Sequence, residues 1–130
     1  MTAIYSVDVS ADTTVVTTAE TVLATLSGVS SQRAGQSVLL EGDVQFTTGA
    51  STTSVVLRIR EDSLTGTLVG EAETDTILGA AGSTDPYRIT AQHSPAGEVS
   101  GKSYVLTVVQ TAASANGSAL HATLKATTNP

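Results

Sequence analysis

One feature of the sequence constrains this chain more than any other, namely a series of short apolar runs. Within the runs apolar residues recur with a period of two, and turn residues separate one run from the next. Val55, Leu57 and Ile59, for example, occupy every second position and share one side of an extended strand. No segment of useful length has the 3.6-residue period of an amphipathic helix. Thr (22 residues) and Ser (15 residues) exceed a quarter of the 130 residues, and these small and β-branched side chains favour strands and turns. The sequence therefore predicts an all-β fold.

Eight such runs predict an antiparallel β-sandwich of about eight strands, jelly-roll-like in arrangement. Apolar residues alternate with polar ones within most runs, as in a sheet with one face in water. A chain of 130 residues is expected to form a single domain. The runs are ETVLATLSGV (20–29), QSVLLEGDVQF (36–46), TSVVLRIR (53–60), GTLVGEAE (66–73), DTIL (75–78), PYRITAQH (86–93), SYVLTVVQTA (103–112) and SALHATLKAT (118–127).

The first 19 residues contain neither Gly nor Pro, and alternation is visible among them. We predict an extended N-terminal arm over residues 1–19, ahead of a single β-sandwich domain over residues 20–130. Such a segment buries its apolar side either on the sheet of its own domain or on a neighbouring molecule. Partner-binding residues are predicted in the arm at Ile4, Tyr5, Val7 and Val9.

The run from residue 103 to residue 112 has apolar residues on both faces of the predicted strand. Tyr104, Leu106 and Val108 lie on one face, and Val105 and Val109 lie on the other. Such a strand is either central and covered on both sides or buried at a contact between subunits. We predict an oligomer contact near Tyr104, Val105 and Val109.

Acidic residues follow the third predicted strand. A hairpin with its turn centred on residues 64–65 places Arg58 opposite Glu71, and such a pair contributes roughly 0.2–1 kcal/mol. Glu71, Glu73 and Asp75 share one strand face because their spacing is two. This placement favours a role in strand register over a calcium site, whose ligands come from a loop.

Two glycines predict local backbone features. Glu41 and Asp43 flank Gly42, which indicates outward carboxylates beside a β-bulge. Asn116-Gly117 between two runs predicts a type I′ hairpin turn, because both central residues of that turn have positive φ. This interpretation is preferred to the glycosylation acceptor that Asn116-Gly117-Ser118 also matches.

Residues that could carry chemistry do not form a recognisable motif. His93 and His121 lie in different predicted strands, and we expect them at the surface or at an interface rather than in a metal site. No local motif of a nucleophilic hydrolase, a phosphate-binding loop or a zinc site occurs, so neither an enzyme nor a cofactor is predicted. The chain has no Cys, which excludes disulfides and thiolate ligands.

Charge and hydropathy argue against two classes of partner. The net charge is −6, with six Lys and Arg, so the chain cannot neutralise many phosphates and nucleic-acid binding is not expected. No apolar run of membrane-spanning length occurs, and the N-terminus lacks the pattern of a signal peptide.

The segment SVVLRIREDSLTGTLVGEAET, with PYRITAQHSPAGEVSGKSYVLTVVQTAASANGSALHATLKAT after it, resembles small β-sandwich head proteins of tailed bacteriophages. The resemblance covers about residues 36–127. It implies a capsid decoration (cement) protein on the outer surface of the virion. Such a protein binds the major capsid protein, stabilises its contacts and is often a homotrimer. The resemblance also implies that the N-terminal arm reaches along the capsid or into a neighbouring protomer.

Two other functions stay open at this stage. A phage tail or receptor-binding β-sandwich module would recognise a host surface glycan, although one Phe, three Tyr and no Trp provide few aromatic platforms for a sugar. A small hydrolase or lectin-like domain would have a pocket in which His93 or His121 lies beside carboxylates.

Overall fold

The computed structural model describes residues 3–9, 14–31, 37–47, 49, 52–73, 77–78, 84–94, 99–110 and 117–128. Regular structure within these residues is entirely β-strand. The strands are β1 (Ala3–Val9), β2 (Thr14–Val16), β3 (Thr21–Ser31), β4 (Val38–Thr47), β5 (Thr52–Thr53), β6 (Val55–Glu61), β7 (Leu68–Glu73), β8 (Ile77–Leu78), β9 (Thr84–His93), β10 (Val99–Gln110) and β11 (Gly117–Thr128).

Nine of these strands form two antiparallel sheets that enclose the core. Sheet A has the order β1-β11-β4-β9, and β2 also pairs with β11. Sheet B has the order β3-β10-β6-β7, while β5 and β8 form a separate short pair. The all-β sandwich predicted from the sequence is confirmed.

The strand pairs are nested in the sequence, as in one long hairpin that has been rolled up. The outermost pair is β1 with β11, followed inward by β3 with β10, β4 with β9, β5 with β8, and β6 with β7. The four long pairs alternate between the sheets until the last hairpin closes within sheet B. This order is that of a jelly roll.

The register of the innermost hairpin agrees with the sequence prediction. Arg58 lies directly opposite Glu71, and Ile59 lies opposite Gly70. One position further, Arg60 is opposite Leu68, which shifts the register by one residue near the turn. The predicted cross-strand pair of opposite charge is therefore confirmed.

The turn of this hairpin is bound to the neighbouring strand β10. Glu61 N–H donates to the Thr67 carbonyl at 2.9 Å and closes the turn. Asp62 has a positive φ of 66°, and its N–H donates to the Ser103 carbonyl at 2.9 Å. Asp is among the residues that tolerate this conformation best after Gly.

The core lies between the inward faces of the two sheets. The inward residues are aliphatic for the most part, with two large aromatic side chains. Sheet A contributes Leu40, Val44, Phe46, Ile89, Ala122, Leu124 and Ala126, and sheet B contributes Leu26, Leu57, Ile59, Tyr104, Leu106 and Val108.

Seven of the eight predicted runs become long strands of the roll: β3, β4, β6, β7, β9, β10 and β11. The eighth run, at residues 75–78, contains only the short β8. The remaining long strand is β1, which pairs over its whole length with β11 in the domain's own sheet. Of the two placements that the sequence left open for this segment, the structure has the intramolecular one.

The hairpin turn predicted at Asn116-Gly117 is wrong. β10 lies in sheet B and β11 lies in sheet A, so the chain crosses between the sheets here. Asn116 lies outside the described residues. Gly117 begins β11, where an added Cβ would lie 2.2 Å from Cζ of Phe46. Close packing against that ring is therefore the reason for this glycine.

The bulge predicted at Gly42 is also wrong. β4 pairs with both of its neighbours through Gly42 without a shift of register. An added Cβ would lie 2.9 Å from side-chain carbons of both Ile89 and Leu106, so the glycine makes room for the core. The flanking carboxylates do lie on the outer face of sheet A, where Asp43 accepts a hydrogen bond from Arg88 at 2.9 Å.

The two sheets approach each other along the edge strands β7 and β9. Gly70 of β7 faces Ala91 of β9, and a Cβ added to Gly70 would lie 2.5 Å from the Ala91 Cβ. Two methyl groups cannot occupy these positions without a shift of the strands. Closure of the sandwich on this side therefore depends on the absence of a side chain at Gly70.

Gly70→Ala is expected to lower the free energy of unfolding by about 1–3 kcal/mol, because the new methyl group overpacks this edge. Adding Ala91→Gly removes the opposing methyl group and should recover part of the loss. Urea denaturation of the wild type, both single variants and the double variant measures the coupling. Strictly additive losses would contradict the close approach of β7 and β9.

Candidate functional site

Charged side chains on the outer face of sheet B are centred on Glu20. Its carboxylate accepts hydrogen bonds from Arg58, from Nε of Arg60 at 2.6 Å and from the Thr107 hydroxyl at 2.9 Å. Arg58 also donates to Glu71 at 2.7 Å. Pairing of β10, β6 and β7 places Thr107, Arg58 and Glu71 side by side, so the sheet register builds this network. We call these five residues the Glu20 network.

The Glu20 network keeps its central carboxylate ionised. The hydrogen bond from Arg60 is the largest cause that lowers the pKa of Glu20 from 4.5 to about 2, against the opposing effect of burial. Arg58 and Thr107 lower this pKa further. Glu20 precedes β3, and its ion pairs with Arg58 and Arg60 connect this part of the chain to the centre of sheet B.

The three residues predicted near an oligomer contact lie on β10, the strand between β3 and β6. Tyr104 is fully buried in the core, and Val105 on the opposite face is only 2% exposed. Val109 is half-buried. The strand is therefore central and covered on both faces, which is one of the two alternatives that its pattern allowed. An oligomer contact near Val109, which retains exposed surface, stays a prediction.

A polar cluster joins the two sheets at one end of the core. Nδ1 of His93, on β9, lies 2.7 Å from the hydroxyl oxygen of Tyr104, on β10. Nε2 of the same imidazole lies 3.2 Å from the Glu61 carboxylate, which also pairs with Lys102 at 3.1 Å. Burial raises the pKa of Tyr104 to about 12, with a further contribution from Glu61. The hydroxyl therefore stays protonated and can donate to the imidazole.

This arrangement gives the two histidines different roles. Tyr104 has no exposed surface, so no substrate can reach its hydroxyl, and the cluster around His93 links the sheets. His121 lies on the outer face of sheet A, with Nε2 3.0 Å from Asp8.

Among the described residues, no group of three or more His, Asp or Glu side chains is arranged to hold a metal ion. Within the same part of the chain, no helix is long and apolar enough to cross a membrane.

The residues predicted to bind a partner through the arm lie on β1, at the edge of sheet A. Tyr5 and Val7 are partly buried and pack against the core. Ile4 points outward and is 66% exposed, the largest exposed fraction among the exposed large hydrophobic side chains of the described residues. Val9 pairs with Ala122 through the backbone, and its side chain lies outside the described part of the chain.

Solved structures with the same arrangement come from virus particles. The particle of infectious bursal disease virus contains a chain that superposes with a TM-score of 0.65 at 12% identity, over 96% of this chain and 31% of that one. The VP2 subviral particle of the same virus gives 0.62 at 14% identity, over 96% and 33%. A mutant VP2 in T=1 particles gives 0.65 at 15% identity, over 98% and 32%.

The chain has the fold of a region of VP2. It spans about a third of the length of these virus-particle chains, and the low identity means that the likeness concerns the fold alone. No protein-family model matches the sequence, and no curated protein is similar to it in sequence. The jelly roll that the strand pairing defines is therefore also the fold of a VP2 region.

Acid is expected to destabilise the protein through the Glu20 network. The pKa of Glu20 is lower in the folded chain than in the unfolded one, so its contribution is complete above pH 4.5 and is lost as the pH falls towards 2. The loss is at most about 3 kcal/mol. Denaturation of the wild type and of Glu20→Gln between about pH 6 and about pH 2 measures it, and the variant should show a flatter dependence.

The control for this experiment is Glu71→Gln, which removes a carboxylate that also binds Arg58 but is 44% exposed. Its effect on the pH dependence should be smaller, because solvent screens an exposed pair. Equal slopes for the wild type and Glu20→Gln would contradict the central role of Glu20.

Removing the hydroxyl of Tyr104 is expected to weaken the link between the sheets. Tyr104→Phe leaves Nδ1 of His93 without its partner and should lower the free energy of unfolding by about 1 kcal/mol. A double-mutant cycle with His93→Ala isolates the interaction from the loss of packing. A coupling energy of zero would show that the hydroxyl and the imidazole do not interact.

Proposed function

We propose that this chain is a structural protein of a virus particle that decorates the outer surface of the capsid and stabilises contacts of the major capsid protein. The observation that carries the proposal is the jelly roll, which aligns with virus-particle chains over 96–98% of its length. The narrower role in decoration follows from the resemblance of residues 36–127 to phage head proteins. A homotrimer at the capsid surface is part of the proposal.

A rigid scaffold suits a protein that clamps other subunits. The Glu20 network fixes the outer face of sheet B, and the His93–Tyr104 link fixes one sheet against the other. Multivalent attachment of a trimer would raise its effective affinity without any new type of contact. Weak contacts from each protomer then suffice for stable decoration.

The proposed contact with the capsid includes the outward side of β1. Ile4 offers an exposed apolar side chain there, while Tyr5 and Val7 hold the strand on its own domain. Deleting the arm would therefore remove a strand of the roll together with the contact. A single outward substitution separates the two effects, because it leaves the packing of β1 unchanged.

Decoration is tested by co-sedimentation of the purified protein with capsids of its source that lack it. Saturable binding at a fixed ratio to the major capsid protein is the expected result, and light scattering of the purified protein should give the mass of a trimer. No binding, with the protein nevertheless present in virions, would overturn decoration in favour of a tail component. Absence from virions would overturn any structural role in the particle.

Ile4→Ser should weaken binding to capsids several-fold, because it removes apolar surface that the contact would bury. Leu64→Ser is the matched control, since Leu64 is also exposed but lies at the turn between β6 and β7. Both variants should unfold at the same denaturant concentration as the wild type. Equal loss of binding in both variants would contradict a contact through β1.

A further inference from the structure

Three polar side chains meet on the outer face of sheet A, where β1 pairs with β11. Asp8 of β1 lies directly opposite Thr123 of β11. His121 precedes Thr123 by two residues, so its side chain lies on the same face of β11. Cross-strand neighbours of this kind, whether direct or diagonal, are within reach of one another. The strand register thus assembles a carboxylate, an imidazole and a hydroxyl group, which we call the Asp8 cluster.

The polar atoms of the Asp8 cluster form a triangle with nearly equal sides. Nε2 of His121 lies 3.0 Å from Oδ1 of Asp8, and the hydroxyl oxygen of Thr123 lies 3.4 Å from each of these two atoms. Metal–ligand bonds of about 2.0–2.2 Å place neighbouring ligand atoms about 2.9–3.5 Å apart in tetrahedral or octahedral coordination. The triangle therefore has the dimensions of one face of a metal coordination shell.

Hydrogen bonding within the Asp8 cluster accounts less well for the position of its hydroxyl group. Hydrogen bonds donated by a hydroxyl group to an oxygen atom are normally about 2.5–3.0 Å long. Both contacts of the Thr123 hydroxyl, at 3.4 Å, are longer than this range. A shared ligand at the centre of the three atoms would explain their similar separations.

The other carboxylates of this face are paired with permanent cations. Arg88 donates to Asp43 at 2.9 Å, and Lys125 lies 3.5 Å from Glu41. Within the described ranges, Asp8 has no Lys or Arg partner, and the imidazole that faces it is charged only when protonated. The net charge of −6 adds to the attraction for a cation. Asp8 is therefore the carboxylate on this face whose charge a bound cation would neutralise.

We propose that Asp8, His121 and Thr123 bind a divalent transition-metal cation such as Zn²⁺. The imidazole nitrogen and the carboxylate oxygen are its principal ligands, and the hydroxyl oxygen is a weaker third one. An imidazole ligand favours Zn²⁺ over Mg²⁺ and Ca²⁺, which prefer oxygen ligands. The side chains of His121 and Asp8 are 36% and 62% exposed, so a hydrated ion can reach the site and keep water in its remaining positions.

A cation in the Asp8 cluster would fasten β1 to β11 within one chain. Asp8 belongs to β1, whereas His121 and Thr123 belong to β11, so the metal–ligand bonds cross between the two strands. The three side chains come together only when β1 is paired, and binding is therefore coupled to the folded state. Bound Zn²⁺ should stabilise the fold in proportion to the logarithm of its concentration once the site is saturated. This inference goes beyond the proposed role in the virion and does not depend on it.

Calorimetric titration of the untagged, full-length chain with Zn²⁺, after treatment with a chelator and dialysis, tests the site. Saturable binding of one ion per chain is the expected result. His121→Ala should lower the affinity by roughly tenfold or more, because it removes the nitrogen ligand. Asp8→Asn should lower it several-fold, and Thr123→Val should have the smallest effect. An excess of Mg²⁺ should leave the titration unchanged.

The matched control is Asp85→Asn, which makes the same chemical change as Asp8→Asn. Asp85 is exposed on β9, at the opposite edge of sheet A from β1. Its replacement lowers the net charge equally and should leave the affinity for Zn²⁺ nearly unchanged. Urea denaturation in the presence of a chelator should show that every variant folds, so that a loss of affinity reports a lost ligand.

Nuclear magnetic resonance locates the ion and tests its effect on β1. Zn²⁺ should shift the imidazole signals of His121 but not those of His93, whose two nitrogens face Tyr104 and Glu61. Amide hydrogen exchange in residues 3–9 should become several-fold slower with Zn²⁺ in the wild type and stay unchanged in His121→Ala.

Four results would overturn the proposal. Absence of saturable Zn²⁺ binding would show that Asp8 and His121 form an ion pair alone. Undiminished affinity in His121→Ala would place any bound ion elsewhere on the chain. Equal losses in Asp8→Asn and Asp85→Asn would mean that net charge, rather than a defined ligand, attracts the ion. Binding without slower exchange in residues 3–9 would contradict the fastening of β1 to β11.

Discussion

Nested antiparallel pairing is the constraint on which the rest of this structure depends. Each long pair of strands encloses the next, and the alternation of pairs between the sheets brings distant parts of the chain to one core. The innermost hairpin sets the register for the Glu20 network, because Arg58 and Arg60 reach Glu20 only from the correct face of β6. The outermost pair leaves β1 at the edge of sheet A. One topological rule thus determines both the register of the central hairpin and the position of β1 at an edge.

The polar side chains act on this framework in two ways. On the outer face of sheet B, one carboxylate accepts hydrogen bonds from two guanidinium groups, so that opposite charges are paired there. At the end of the core, the Tyr104 hydroxyl would be a buried polar group without a partner if His93 did not bind it. The first arrangement is built within one sheet, and the second fastens one sheet to the other.

Alternation within the sequence was sufficient for the fold class, the positions of most strands and the register of one hairpin. Arg58 and Glu71 could be paired because the turn between them is short and leaves few alternative registers. The pairing of β1 with β11 could not be predicted, since alternation determines the face of a residue but not the neighbouring strand. The contact between His93 and Tyr104 has no local signal either, because the two residues belong to different sheets. Asn116-Gly117 misled because this dipeptide is typical of hairpins, whereas Gly117 here begins β11 after the chain has crossed from sheet B to sheet A.

The nested order also has a consequence for the path by which the chain folds. Strands that pair across more than a hundred residues normally close a long loop, and the entropy of closure slows folding. Here the hairpin at residues 55–73 can form first from local contacts. Once it has formed, the ends that the next pair must join are already close, and the same holds at every later step. Folding by such a zipper proceeds outward from the turn near residue 64, and the ladder between β1 and β11 is then the last to form and the first to open.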